Sequence, residues 1–195
     1  GETEGSFMTD NEGGYNFGNL AMYNDYQLVP EKNDNHLEGI STIDLVLIQR
    51  HILGIKPLDS PYKLIAADAN NSKSISAADI VELRKLILGL SNKLSSNTSW
   101  RFVDAAYKFN DPAAPWPFAE FLKYESLESN MVASDFVAVK VGDVNGTVSE
   151  NIIGKTTNRN NDKTTIWIKD EMLNAGSLVN IPVNIECTET LVGLQ

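Results

Sequence analysis

A single cysteine, Cys187, rules out a disulfide within the chain. Histidine is nearly as scarce: His36 and His51 are the two, and neither lies by a Gly-x-Ser-x-Gly elbow or a phosphate-binding glycine loop. His51 falls on a helix-forming run and reads as a packing or surface residue rather than a base. No apolar run is long enough to cross a bilayer. Positive charge is also short, with 16 Lys and Arg against 26 Asp and Glu and a net charge of −10, so there is no basic face for a nucleic-acid backbone. What remains is an acidic chain of 195 residues, 42% hydrophobic. Its chemistry has to come from carboxylates, amides and hydroxyls. The start at Gly1-Glu2-Thr3, without Met or signal sequence, reads as a piece processed from something longer.

The oxygen-bearing residues are most ordered in Asp68-Ala69-Asn70-Asn71-Ser72-Lys73-Ser74-Ile75-Ser76-Ala77-Ala78-Asp79, which runs into the apolar-periodic stretch Ile80 to Gly89. Oxygens fall at loop positions 1, 3, 5, 9 and 12 and an aliphatic residue at 8, the order an EF-hand-type calcium loop requires. Asp68, Asn70, Ser72 and Asp79 then coordinate through side chains, Ser74 through its carbonyl, and Ser76 directly or through water. Position 6 is Lys73 rather than Gly, so Lys73 has to take a positive φ, and position 12 is the shorter Asp79 rather than Glu. The plainer reading is a polar loop in which Ser76 caps the helix.

The unit occurs twice. Ile40-Ser41-Thr42-Ile43-Asp44 and the following run to Gly54 match Ile75 to Gly89 at an offset of 35 residues, from Asp44 to Asp79. Ile40/Ile75, Ser41/Ser76, Asp44/Asp79, Val46/Val81, Ile52/Ile87, Leu53/Leu88 and Gly54/Gly89 are identical pairs. Apolar residues Leu45, Ile48, Ile52 and Leu53, and Ile80, Leu83, Leu86 and Ile87, predict two helices sharing a core, with Tyr62, Leu64 and Ile65 covering them. The first loop is defective. Counting back from Asp44 places Gly39 at 7 and Glu38 at 6, but Leu37, Asn35 and Asn33 at 5, 3 and 1. Aligning Gly39 at 6 instead puts Asp34, His36 and Glu38 in ligand places of a shortened loop. Either the site is degenerate or its ligands come from elsewhere.

A candidate source is Asp143-Val144-Asn145-Gly146, which begins like such a loop yet is followed by nothing that completes one. Asp143 and Asn145 are therefore expected to fold back and complete the first site with Asp44 and Glu38, the alternative being a simple β-turn.

The duplicated loop-helix unit, about residues 31 to 92, resembles the type I dockerin family. That resemblance implies Ca2+ as the cofactor, two antiparallel helices with pseudo-twofold symmetry, and docking onto a cohesin β-sandwich. It places the partner-binding positions at Thr42, Ile43, Gln49 and Arg50 and at Ala77, Ala78, Arg84 and Lys85.

Ahead of this module, residues 1–30 carry Thr9-Asp10-Asn11-Glu12-Gly13-Gly14-Tyr15-Asn16-Phe17 and Tyr26-Gln27-Leu28. Their alternation predicts short strands and resembles the tail of a prealbumin-like or CnaB-type domain of bacterial surface proteins. Thirty residues bury too little to fold alone, so they have to lean on the rest of the chain or on a partner. Residues 93–146 read as an irregular, aromatic and strand-bearing extension packed on the module, and 147–164 as a linker. Residues 165–195 are similar to the opening of a cohesin-like sandwich, with strands at 165–170, 175–185 and 191–195 and a sticky exposed edge.

The expectation is thus an α+β chain: a dockerin-like pair of calcium loop-helix units with flanking β-strand segments. Its function is read as a calcium-stabilised structural or assembly module of a secreted, extracellular or cell-surface protein, with neighbouring copies joining by strand addition into a fibre. The alternative is an adaptor that binds a cohesin-like partner. A third reading is an accessory region of a carbohydrate-active enzyme, in which Trp100, Trp116 and the nearby tyrosines serve as a sugar platform as readily as core. The chain itself is not expected to be an enzyme.

Overall fold

A computed structural model describes residues 5–10, 12–150, 165–168 and 183–186. It divides into two units, 1–149 and 150–195. The first joins helices α1 (Thr42–Ile52), α2 (Pro61–Ala67), α3 (Ala77–Ile87) and the single turn α4 (Thr147–Glu150) with strands β1 (Tyr26–Leu28), β2 (Trp100–Asp104), β3 (Leu122–Tyr124) and β4 (Phe136–Lys140), a mixed α+β architecture. β1 pairs antiparallel with β3, and β2 with β4. In the second unit β5 (Thr165–Ile168) pairs antiparallel with β6 (Val183–Glu186). The third strand expected at 191–195 lies outside the described residues. No described helix is long and apolar enough to cross a membrane.

The duplicated sequence folds the same way twice. Ser41 and Ser76 each cap a helix of 11 residues in a capping box closed by Asp44 and Asp79. Both helices end alike, with Gly54 and Gly89 at φ 67°. Ile55 N–H donates to the Arg50 carbonyl and Leu90 N–H to the Lys85 carbonyl, each at 2.9 Å. α1 and α3 pack on each other.

Their buried faces are narrower than the sequence pattern implies. Leu45 and Ile48, and Leu83 and Leu86, are buried, whereas Ile52 and Leu53 are exposed. Beyond Ile48 the α1 stripe runs out toward solvent. The sequence pattern marks no helix at α2, only Tyr62, Leu64 and Ile65 as cover for the pair. Ser60 caps α2 by accepting the Tyr62 N–H, and Pro61 supplies its first turn.

One core serves the whole unit. Ile40, Ile48, Ile65, Leu83 and Leu86 meet Leu94, Val103, Val139, Val141 and Val144 from the segment beyond the helices. Tyr62, Tyr107, Phe109 and Phe118 stack edge to face over α2. The amino-terminal segment joins through β1 and through Tyr15, whose hydroxyl donates to the Ser134 carbonyl. No strand forms at 15–17: Tyr15 and Phe17 make ring contacts instead of ladder pairs. Trp100 is buried with its indole N–H on Asp34, so it is core and not an open platform.

Candidate metal centre

In the contiguous loop the ligand-bearing groups are already drawn inward. Ser72 N–H donates to Asp68 Oδ1 and Lys73 N–H to Asp68 Oδ2, both at 2.8 Å. Ser72 N–H also reaches Asn70 Oδ1 at 3.0 Å. From the helix end, Asp79 Oδ1 accepts Asn70 N–H at 3.1 Å, and Asp79 Oδ2 accepts Ser76 N–H at 2.8 Å. Ser76 Oγ donates to Asp79 Oδ2 at 3.2 Å. The Ser72 hydroxyl meets the Ser74 carbonyl at 3.1 Å, bringing the position-5 and position-7 oxygens together. Lys73 has φ 63°, the left-handed turn its place demands. The capping and ligand readings are therefore compatible: Asp79 closes the cap and faces Asp68 across the loop.

The same network exists a second time, assembled from two segments 100 positions apart in sequence. Thr147 N–H donates to Asp143 Oδ1 at 3.1 Å and Val148 N–H to Asp143 Oδ2 at 2.8 Å. Thr147 N–H meets Asn145 Oδ1 at 3.2 Å. Asn145 N–H donates to Asp44 Oδ1 at 3.2 Å, and Asp44 Oδ2 accepts both Ser41 N–H and Ser41 Oγ–H at 2.8 Å. Thr147 Oγ1 donates to the Gly39 carbonyl at 2.9 Å, the counterpart of Ser72 on Ser74. Residues 143–148 therefore stand as positions 1 to 6, and 39–44 as positions 7 to 12.

The crossing is tight. A Cβ on Gly39, at φ +76°, would lie 2.9 Å from both Asp143 Oδ2 and Val148 Cβ. The one geometric departure is position 6: Lys73 turns left-handed to carry its chain into position 7, while Val148 leads away into α4 without that turn.

Electrostatics set these two places apart. Asp44, Asp68, Asp79 and Asp143 are all buried. None forms an ion pair with Lys, Arg or His among the described residues. Burial pushes the Asp44 carboxyl up, against hydrogen bonds from Ser41 and Asn145 that pull it down, and Asp143 adds to the rise. Burial likewise raises Asp68, opposed by the Lys73 and Ser72 amides and reinforced by Asp79. Lys140, the one buried cation among the described residues, is attracted by Asp143 but turns its ammonium to the His36 and Ser99 carbonyls. Burial lowers it from 10.5 to about 8.

The donor set fits a hard cation. Each place gathers two carboxylates, an amide, a hydroxyl and a carbonyl, all oxygen, which is what calcium takes at about 2.3–2.6 Å. No group of three or more His, Cys, Asp or Glu converges among the described residues, in keeping with two carboxylates per place.

The structure brings Asp143 and Asn145 to Asp44 and leaves Glu38 out. Glu38 is exposed and faces Lys140, because the position it was expected to fill belongs to Val148. Thr147 is the member sequence reasoning missed, and Gly39 stands at position 7, where the count back from Asp44 puts it. A threonine two places after Asn145 was the available signal. Thr147 and Val148, read from the sequence as the start of a linker, bond back to Asp143 within the first unit.

Of the helix positions singled out for a partner, Ile43, Gln49, Arg50, Ala77, Ala78, Arg84 and Lys85 are exposed and Thr42 is half-buried. His51 accepts the Leu58 N–H at Nδ1, a capping contact. No family model, curated protein or solved structure matches the chain.

Proposed function

We propose that this chain is a calcium-stabilised structural module of a secreted bacterial surface protein, built on a dockerin-like pair of loop-helix units. The observation that carries the reading is the repetition of one oxygen-lined hydrogen-bond network at both helix starts, with two buried carboxylates in each that make no ion pair among the described residues. Held without a cation, such a carboxylate pair costs several kcal/mol per charge. An ion that binds only the folded state turns that cost into stability, about 2.7 kcal/mol at a hundredfold excess over Kd. Thermal unfolding with chelator and with millimolar calcium tests this directly. A rise of several degrees in Tm is expected, and an unchanged Tm would discard calcium.

Each described sheet has two strands, so each strand keeps one unpaired edge. Joining of copies by strand addition is the assembly mode we attach to this module. Sedimentation across a concentration series reads it, and a monomer at every concentration rejects it.

Docking to a cohesin-like partner is the second reading. What favours it is a set of exposed apolar twins at the 35-residue offset: Val46 and Val81, Leu53 and Leu88, Ile55 and Leu90. Arg50, Arg84 and Lys85 stand beside them on the same helices. Arg50→Glu with Arg84→Glu should abolish capture of such a partner while Tm stays within a degree or two. Capture that survives both changes removes this reading.

A further inference from the structure

We propose that residues 32–36 are a strap over Trp100 that stays seated only while His36 is neutral, so that mild acid uncovers Trp100. The inference is independent of the calcium reading.

The strap runs between β1 and α1 without forming a helix or a strand. It is fastened to the rest of the unit by hydrogen bonds that each use a side chain. Asn33 Oδ1 accepts Ser99 N–H at 2.9 Å, Asp34 Oδ1 accepts the Trp100 indole N–H at 3.1 Å, and His36 Nδ1 accepts Leu94 N–H at 3.3 Å. The His36 carbonyl takes the Lys140 ammonium at 3.0 Å. Lys32 lays its own ammonium over the Trp100 ring, 4.7 Å from the centroid, and the indole is left 7% exposed. Across residues 31–38 His36 alone is not exposed, so it is the inward-facing side chain of the strap.

The Leu94 bond fixes the state of the imidazole. An Nδ1 that accepts an amide hydrogen carries no proton, so the ring is the neutral Nε2–H tautomer. In the imidazolium both nitrogens are donors, and turning the ring over offers Leu94 no acceptor. Burial, Lys140 of β4 and Lys93 of the loop after α3 hold the imidazole below its ordinary 6.5, and Asp34 of the strap itself opposes them. Because the folded value lies below the unfolded one, the seating is complete above about 6.5 and is lost as pH falls from there through the lowered value.

Protonation removes the Leu94 bond and sets a second cation beside Lys140, which is bonded to the carbonyl of the same residue. The strap then keeps only the contacts of the exposed Asn33 and Asp34. Ahead of it the chain stays tied through β1 on β3 and Tyr15 on Ser134, and behind it through the buried Ile40. It therefore lifts as a loop anchored at both ends, with the core intact.

The test uses the full chain as wild type, His36→Asn and His36→Ala, compared at about pH 7.5 and about pH 5, on either side of the imidazole range. Amide exchange is expressed as protection relative to the unstructured rate, which removes the pH dependence of exchange itself. In wild type the protection of Leu94 and Ser99 should fall about tenfold or more on acidification, and tryptophan emission should shift to the red. Asparagine at 36 offers Leu94 an uncharged acceptor in the place of Nδ1, so His36→Asn should keep its protection at both pH values. His36→Ala should lack it at both. Nitrogen chemical shifts of His36 in wild type should report the Nε2–H tautomer at neutral pH and a transition below 6.5, and they decide the matter if His36→Asn does not fold. Leu94 protection untouched by acid in wild type, an equal acid loss in His36→Asn, or a His36 transition at or above 6.5 would overturn the strap.

Discussion

Gly142 is where the packing leaves least room. It has φ +92°, and a Cβ there would lie 2.5 Å from Ile40 Cδ1 and 2.6 Å from Leu83 Cδ2. Gly142→Ala combines backbone strain with overpacking, each about 1–3 kcal/mol, and should lower stability accordingly in urea denaturation with calcium present. The buried carboxylates give a pH signature. In the calcium-free protein, folded Asp44 and Asp68 hold protons that the unfolded chain releases near pH 4. The folded state binds more protons above that point, so stability falls as pH rises from about 4 through the raised values. Calcium displaces those protons, so its affinity should climb over the same window. Tm against pH, with chelator and with calcium, reads both. Lys140 acts in a separate range with the opposite slope. Its folded value of about 8 lies below the ordinary 10.5, so the unfolded state binds more protons between them and stability rises with pH there. Lys140→Met should abolish that rise.

Among the elements, α1 and α3 were legible because a repeat fixes caps and length together: Ser41 and Ser76 start the helices, and Gly54 and Gly89 follow their ends. α2 was hidden because seven residues with one clear cap carry too little periodicity, and its Pro61 reads equally as a turn. The alternation at Tyr15 and Phe17 misled for the opposite reason: period two describes ring contacts as well as a strand. Helix faces were overcalled at Ile52 and Leu53, since periodicity marks a stripe without saying how much of it is covered. Substitutions separate the two parts of the stripe. Ile48→Ala and Leu83→Ala should each cost about 2–5 kcal/mol. Leu53→Ala and Leu88→Ala, at exposed sites, should stay within about 0.5 kcal/mol.

At the scale of the molecule, the duplicated loop-helix stretch is one part of a larger folded unit, 1–149. Residues 31–92 hold both helices but lack Val103, Val139, Val141 and Val144, which finish their core, and 143–148, which finish the first site. A fragment of residues 1–149 should therefore fold and bind calcium twice. Residues 31–92 alone should bind at most once and unfold well below it, as calorimetry of the two would show. Half of the site was legible as Asp143 and Asn145 because loop openings have a recognisable order. Thr147 was missed, although it follows Asn145 at the position-5 spacing, because the loop it belongs to is completed only by a segment 100 positions away. That separation also has a kinetic cost, since closing so long a loop precedes any contact that rewards it. The route by which the chain leaves the first unit has a mechanical meaning as well. Tension pulling from the carboxyl side enters through α4 and Val148, and meets the Asp143 hydrogen bonds and the Gly39 crossing before it reaches the core. The seam that yields first under load is thus the seam where an ion would bridge the chain, so single-molecule unfolding force should rise with calcium and lose that dependence in Asp143→Asn.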